Sequence, residues 1–344
     1  MTAKSLWEFL QNHTINKCLT IIISVFNVVS SKVAVIGGGY WGRKHVEEYV
    51  ALGNDVYVAD LLDKNLEFCS KKYGVSTTKN YRDLLTDDGI KAVSICTPNA
   101  SHYPLAKEFL ESHKNVLVEK PLAMTIDEGR QLIDIAKDNH VVLSVGHIFR
   151  FNNAIAKIRD MIEHYEFGDI RIMKLKWTNI EPLFEDRDVI FDLAPHPFDI
   201  IHYIFRKNPD EVSCTGNAYR RSKLKGAEAV FINCNLDEMI INIELSWLTP
   251  PKTRSLVIVG SKRSALVNCT SQTIEVVENN NSSYNLEIIP NNTLRDELHS
   301  FLNCVTAKSE QNISNGYVGL DILKMIEVCN DSLKEKRVLR LNWD

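Results

Sequence analysis

Three residues with acid–base or charge-stabilising chemistry, Lys120, Asp192 and His196, stand where local backbone geometry would hold them in place. Lys120 closes the apolar run Val116-Leu117-Val118-Glu119 and precedes Pro121. A strand ending there would present the ammonium at the carboxyl edge of a parallel sheet, where doubly wound folds bind ligands. A lysine after a strand is ordinarily a solvated charge. Here Pro121 fixes the local backbone and removes a donor, and Glu119 can hold the ammonium, so a placed cation is expected. His196 lies between Pro195 and Pro197. The residue before a proline is steered away from helical geometry and proline suits the first helical position, so His196 is expected to cap a helix beginning at Pro197. A helix N-terminus disfavours a second positive charge and would keep the imidazole neutral and able to accept a proton. The alternative is a structural capping histidine, with Asp192 holding a turn. On the chemical reading Asp192 orients His196 or binds a neighbouring hydroxyl, and the prolines argue against the two lying one helical turn apart.

A second constellation lies near the start. Gly37-Gly38-Gly39-Tyr40-Trp41-Gly42 follows the apolar run Lys32-Val33-Ala34-Val35-Ile36, opens a helix-patterned segment, and is answered by Asp60 at the end of the next apolar run. Gly37 permits a tight turn out of the strand, Gly39 lets the backbone approach a pyrophosphate, and Gly42 lets the new helix pack on the strand. Amide groups at that helix start face the anion with the positive end of the helix dipole behind them. Asp60 can accept from adenosine ribose hydroxyls and would repel a 2′-phosphate, so NAD is expected over NADP, although Lys64 lies close enough in sequence to reach a phosphate. A bare glycine turn would not come with strand, helix and acid together.

These residues need a scaffold. From Lys32 the chain alternates short apolar runs with helix-period segments. Strands are expected at 32–37, 55–60, 75–78, 92–97, 115–119 and 141–146, and helices at 41–52, 64–73, 81–86, 102–113 and 126–139. Strict alternation implies an α/β Rossmann domain with a doubly wound parallel sheet over 32–150. Beyond Phe151 a helix at 153–164 precedes strands at 170–179, 211–219, 227–236, 239–248, 254–260 and 264–269. Two or three short strands follow within 273–290, then helices at 294–307 and 317–334. Residues 151–344 thus read as an α+β domain for substrate binding and oligomerisation, with a large, mostly antiparallel sheet. Ile240-Ile241-Asn242-Ile243-Glu244-Leu245 alternates, so one sheet face is wet or meets another subunit in a homodimer or homotetramer.

A net charge of −4 with no polybasic run argues against nucleic acid as a partner. Eight cysteines without a CxxC pair read as thiols in a reducing cytoplasm, and no metal site is expected. Residues 1–31 read as an extension outside the core fold. Their apolar run from Leu19 to Val29 is too short to span a bilayer comfortably, and its signal-like length is not matched by the cytosolic character of the rest.

Val116-Leu117-Val118-Glu119-Lys120-Pro121 resembles the Glu-Lys-Pro signature of the glucose–fructose oxidoreductase, inositol dehydrogenase and rhizopine-catabolism (Gfo/Idh/MocA) family. Thr97-Pro98-Asn99 with His102, and Asp192-Leu193-Ala194-Pro195-His196, sit where that family has its Thr-Pro-x-x-x-His and Asp-x-x-x-His motifs. The resemblance covers about Lys32 to Leu341. Val145 to Asn152 and Arg187 to Ala194 are similar to the branch that oxidises C3 of UDP-N-acetylglucosamine or its uronic acid, from which this chain departs by Pro195, Pro197 and a shorter link after Arg187. The resemblance implies an NAD-dependent sugar dehydrogenase acting on a sugar or nucleotide sugar. Lys120 would hydrogen-bond the reacting oxygen, and His196, with Asp192, would handle its proton. Tyr40, Trp41, Thr97, Pro98, Asn99, His102 and Glu119 join the cofactor set; His102 faces the nicotinamide or merely caps. Arg150, Asn152 and Arg187 are candidates for a diphosphate or uronate, because guanidinium matches such oxyanions bidentately, although surface arginines are common. Trp177 and Trp247 read as core or interface residues rather than sugar platforms. An inositol or free-sugar dehydrogenase and a non-catalytic NAD-sensing regulator remain the alternatives.

Overall fold

The computed structural model describes residues 31–182, 184, 187–220, 226–306, 311–341 and 343. The expected N-terminal extension, apart from Ser31, lies outside the described residues. The first half alternates β1 (Lys32–Ile36), α1 (Tyr40–Ala51), β2 (Asp55–Ala59), α2 (Asp63–Tyr73), β3 (Ser76–Thr78), α3 (Arg82–Leu85), β4 (Ile90–Ile95), α4 (His102–Glu111), β5 (Asn115–Glu119), α5 (Ile126–Asp138) and β6 (Leu143–Gly146). The six strands form a parallel sheet in the order β3-β2-β1-β4-β5-β6. Val33, Ala34 and Val35 are fully buried, as expected of a strand covered by helices on both faces. The order reverses between β1 and β4, and at such a switch point the carboxyl ends of the strands leave a crevice.

The second half contains α6 (Asn153–Glu163), β7 (Ile170–Ile180), α7 (Val189–Leu193), α8 (Pro195–Phe205), β8 (Glu211–Asn217), β9 (Ala229–Leu236), β10 (Met239–Ser246), β11 (Leu248–Gly260), β12 (Arg263–Asn268), β13 (Thr273–Glu278), β14 (Ser283–Leu286), α9 (Thr293–Thr306), α10 (Gly316–Glu335) and β15 (Leu339–Arg340). Its nine strands follow the order β14-β13-β12-β11-β7-β10-β9-β8-β15. All pairs are antiparallel except β7 with β10. One sheet face packs on the helices: Ile241, Ile243, Leu245, Leu256 and Ile258 join Ile155, Ile158, Ile201 and Ile322 in one core. The other face exposes Phe231, Ile240 and Leu266.

Two differences from the sequence expectation matter for the site. The helix at His196 begins at Pro195, not Pro197, and follows α7 with only Ala194 between them, itself in right-handed helical geometry. The amide groups of Ala194 and Phe198 still bond back to Ile190 and Ala194, so the two missing proline donors interrupt the ladder without redirecting the chain. Residue 150 is also not a clean boundary. Leu294, Leu298, Phe301 and Leu302 of α9 pack with Val33, Val46 and Tyr49 of the first half, and Leu323 of α10 packs with Leu132 and Val145.

Candidate active site

The glycine loop has the geometry its residue types dictate. Gly37 has φ +96°, and a Cβ there would lie 2.7 Å from the carbonyl oxygen of Cys96. A Cβ at Gly42 would lie 1.7 Å from the carbonyl oxygen of Gly37, so only glycine lets α1 seat this closely. At Gly39 a Cβ would meet no protein atom within 4 Å; the space above it is a cavity. Asp60 closes the loop from below: its carboxylate accepts from the amides of Gly38 (2.7 Å) and Leu62 (2.8 Å) and from Asn65 Nδ2 (3.0 Å).

Two cavities meet at this loop. The first, about 680 Å³, is lined by Gly37, Asp60, Leu62, Lys79, Pro98 and Leu105 among others. Lys64 does not line it; the cation there is Lys79, which pairs with Asp63 at 2.8 Å. The second, about 520 Å³, is bordered by Tyr40, Trp41, Asn99, His102, Glu119, Lys120, Arg187, Asp192 and His196. Gly39, Cys96, Thr97 and Pro98 line both, so an extended ligand can run from Asp60 past the loop to Lys120. An open crevice with an acid at one end, backbone amides in the middle and a lysine, a carboxylate and a histidine at the other fits a dinucleotide.

At the far end Lys120 Nζ donates to the backbone oxygen of Asp192 (2.6 Å) and lies 3.3 Å from its Oδ1. The expected partner of the ammonium, Glu119, is engaged elsewhere. It accepts from Trp41 Nε1, from His45 Nε2 (2.9 Å) and from the amide of Lys120 (3.2 Å), tying α1 to the lysine turn. Asp192 also receives Trp247 Nε1 on Oδ2 (3.1 Å) and lies 3.5 Å from Arg187 Nε. Burial pushes its carboxyl up, but Lys120 and then Arg187 outweigh burial and hold it below the usual carboxylate range. Asp192 therefore fixes Lys120, and no hydrogen bond joins it to His196, although the two lie four residues apart along a nearly continuous helical course.

His196 sits in the second cavity with Phe149 edge-on at 5.1 Å. Burial, then the charges of Lys120 and Arg254, drive its pKa well below the ordinary histidine value. It is neutral near pH 7, as the sequence argument anticipated, but through burial and neighbouring cations and not through capping. His102 opens α4 without capping it. Its ring spans the carbonyls of Pro121 (2.8 Å) and Thr97 (2.9 Å), bracing the lysine turn against the Thr97-Pro98 turn.

Two expected substrate residues do not reach the cavity. Arg150 is buried with Nε 2.5 Å from Asp199, Nη1 on the carbonyl of Ile313 (2.9 Å) and Nη2 on His202 (2.8 Å), which spends its guanidinium on structure. Asn152 caps α6 through the amides of Ala154 and Ile155 and donates to the carbonyl of Cys269 (2.9 Å). Trp177 and Trp247 are fully buried, as expected. The sequence reading missed Glu181 and Arg254, both of which line the second cavity. Arg254 stands in a strand with no motif around it, and only the pairing of β11 with β7 brings it opposite Trp177 and into the site.

Comparison with known proteins gives a consistent frame. Residues 31–147 match the model of an oxidoreductase family with an NAD-binding Rossmann fold, and residues 155–266 match the Gfo/Idh/MocA C-terminal domain. The chain is 26% identical over 294 residues to UDP-N-acetylglucosamine 3-dehydrogenase of Acidithiobacillus ferrooxidans, covering 81% of this chain and 90% of that protein. It is 25% identical over 196 residues to myo-inositol 2-dehydrogenase of Thermotoga maritima, covering 54% and 58%. A solved structure of the Acidithiobacillus ferrooxidans enzyme superimposes with a TM-score of 0.79 at 24% identity, over 88% of this chain and 98% of that one. A levoglucosan dehydrogenase complex with NADH and levoglucosan gives 0.81 at 18% identity, over 90% and 99%. These likenesses to solved structures establish the shared fold.

Proposed function

The chain belongs to the Gfo/Idh/MocA family of NAD-binding oxidoreductases, and from that premise we propose that it oxidises a secondary hydroxyl of a sugar, with C3 of UDP-N-acetylglucosamine or of its uronic acid as the target. One observation carries the chemistry: a lysine ammonium fixed by Asp192 and a neutral imidazole share a cavity continuous with the glycine loop. NAD, when bound, supplies a hydride acceptor at C4 of its nicotinamide. The residues that fit it are Gly37, Gly39 and Asp60 along the loop, with Gly42 seating the helix behind them, and Tyr40, Trp41, Thr97, Pro98 and Asn99 at the passage between the cavities. Glu119 and His102 brace that passage from behind.

Lys120 has two of its three N–H directions spent on Asp192 and one left for the reacting oxygen. Its charge stabilises the oxygen as the hydroxyl proton departs, a preorganised electrostatic role. His196, neutral, takes that proton as general base. The low basicity imposed by burial and by Lys120 makes it a weak acceptor, and the cation beside the substrate compensates by acidifying the hydroxyl. Arg187, against the Phe184 ring at 4.0 Å, is placed to meet an oxyanion of the substrate. The open sheet face bearing Phe231, Ile240 and Leu266 is the surface for a homodimer or homotetramer, and the described free thiols suit a reducing cytoplasm.

The test is a turnover screen with NAD against UDP-N-acetylglucosamine, its uronic acid, free N-acetylglucosamine, myo-inositol and glucose, followed by formation of reduced nicotinamide. The UDP-sugars should dominate in kcat/KM, because binding energy from the distant nucleotide positions the reacting carbon. Robust turnover of myo-inositol or glucose, with no binding of UDP-sugars by calorimetry, would replace this substrate by a polyol. Binding of NAD with no turnover of any of them would place the protein among sensors.

A further inference from the structure

The second cavity contains a cation that the reaction above does not use. Arg254 projects from β11 beside Lys120, Asp192 and His196. Its Nη1 donates to the carbonyls of Thr178 (3.0 Å) and Thr253 (2.8 Å), and its own carbonyl accepts from the amide of Cys269 (2.8 Å). These bonds fix the plane of the guanidinium, yet it makes no ion pair within 4.0 Å among the described residues, and neither Nε nor Nη2 has a hydrogen-bond partner there. The nearby carboxylates are committed: Asp192 to Lys120, Arg187 and Trp247, and Glu181 to Asn179 at 2.6 Å. A guanidinium cannot shed its proton to escape burial, so a half-buried one held rigid with two idle donors is unfinished without an anion. It lines the same cavity as Lys120, Asp192 and His196, and its charge lowers the basicity of His196, so it stands at the lysine–histidine end of the crevice and not at the Asp60 end.

We infer that Arg254 selects the substrate by binding an oxyanion carried on the sugar ring itself, either a C6 carboxylate or an anomeric phosphate oxygen. This rests on the sugar dehydrogenase reading and narrows it to acidic sugars or sugar phosphates. Arg254 differs from Arg187, which is already paired with Asp192. Planar, bidentate recognition is what a fixed guanidinium does best, and a lysine in its place would keep the charge but lose the fork.

Two substrate pairs test it in the full chain with NAD: UDP-N-acetylglucosamine against its uronic acid, and N-acetylglucosamine against its 1-phosphate. Preference for the uronic acid assigns the carboxylate, and preference for the 1-phosphate assigns the anomeric phosphate. In Arg254→Gln the ratio of kcat/KM for the preferred anionic member over its partner should fall about 10- to 100-fold, mostly through KM, the loss expected for a charge-assisted hydrogen-bonding pair. Arg254→Lys should fall between. NAD affinity and melting temperature serve as folding controls. Equal losses for the member that carries the tested anion and the member that lacks it, or an unchanged ratio in a folded Arg254→Gln protein, would overturn the inference. If no sugar is oxidised at all, calorimetry of the NAD-loaded protein with glucuronate, glucose 1-phosphate and glucose decides. Anion-selective binding that Arg254→Gln abolishes keeps the inference while the oxidation reading falls, and equal or absent binding of all three removes both.

Discussion

Replacing Asp60 with Ser separates two effects of one carboxylate, the hold it has on the loop and the repulsion its charge is expected to exert on a 2′-phosphate. Asp60 holds the glycine loop through the amides of Gly38 and Leu62 and through Asn65. Loss of these charge-assisted bonds, each about 1.5–3 kcal/mol, loosens the loop and weakens NAD and NADP alike. The second effect is specific to NADP. At about 5 Å from a 2′-phosphate of charge roughly −1.5, with an effective dielectric constant of about 60, the carboxylate repels it by about 1.7 kcal/mol. Removing that term should shift the ratio of NAD to NADP affinity by on the order of 15-fold toward NADP, whatever happens to the two affinities together. Calorimetric titration of both cofactors into the unmodified protein, Asp60→Ser and Asp60→Asn measures the ratio, and the asparagine variant retains one side-chain acceptor for the loop. The reasoning fails if the unmodified protein binds NADP more tightly, or if the ratio in Asp60→Ser stays within about twofold of the original.

Lys120→Ala and His196→Ala should each lower turnover by about 10²–10⁴ with little change in NAD affinity, and near-normal rates in both would remove them from the chemistry. Because His196 titrates well below its ordinary value of 6.5, kcat/KM should show no histidine limb between pH 8 and 6.5 and should fall only at lower pH; a limb at or above 6.5 would refute the neutral-base assignment. The same depressed pKa means the unfolded chain binds the proton first, so this contribution to stability is complete above about pH 6.5 and is lost as the pH falls toward the folded-state value, which urea midpoints across that range would register. Gly42→Ala puts a methyl 1.7 Å from the carbonyl oxygen of Gly37. The forced separation should cost at least about 1–3 kcal/mol, read as weaker NAD binding and a lower melting temperature, and unaltered NAD binding would show that the helix can give way.

Legibility in the sequence followed how local the deciding interaction was. The parallel sheet and its glycine turn could be read because strand, turn, helix and acid fall within one βαβ unit, and the turn demands glycine at fixed positions. The proline-flanked histidine was misjudged. Local preference before Pro197 argued for a cap, but burial of Ile190, Leu193 and Ile200 against the sheet holds Ala194 and the two prolines in a helical path. Glu119 looked like the partner of Lys120 because it is adjacent, whereas the chain folds so that His45 and Trp41 reach it first and Asp192, 72 residues away, takes the ammonium. Arg150 resembled a ligand residue until the fold supplied Asp199 and His202. Arg254 left no signal, since nothing about a charged residue in a strand says which face of which sheet it will occupy.

The return of α9 and α10 to the nucleotide-binding half bears on how the protein is made. Tyr49, Val46 and Val33 are covered by Leu294, Leu298, Phe301 and Leu302, from near the opposite end of the chain. During synthesis the first 150 residues emerge and can collapse long before those leucines leave the ribosome. One flank of the parallel sheet and its first helix then stays greasy and unmatched throughout translation of the second half. Such a partly covered intermediate is open to chaperones and prone to self-association. Final closure must wait for contacts spanning some 250 residues, a slow and late event for a chain of this topology. A fragment ending near residue 150 should therefore aggregate or bind a chaperone instead of behaving as a free-standing cofactor module.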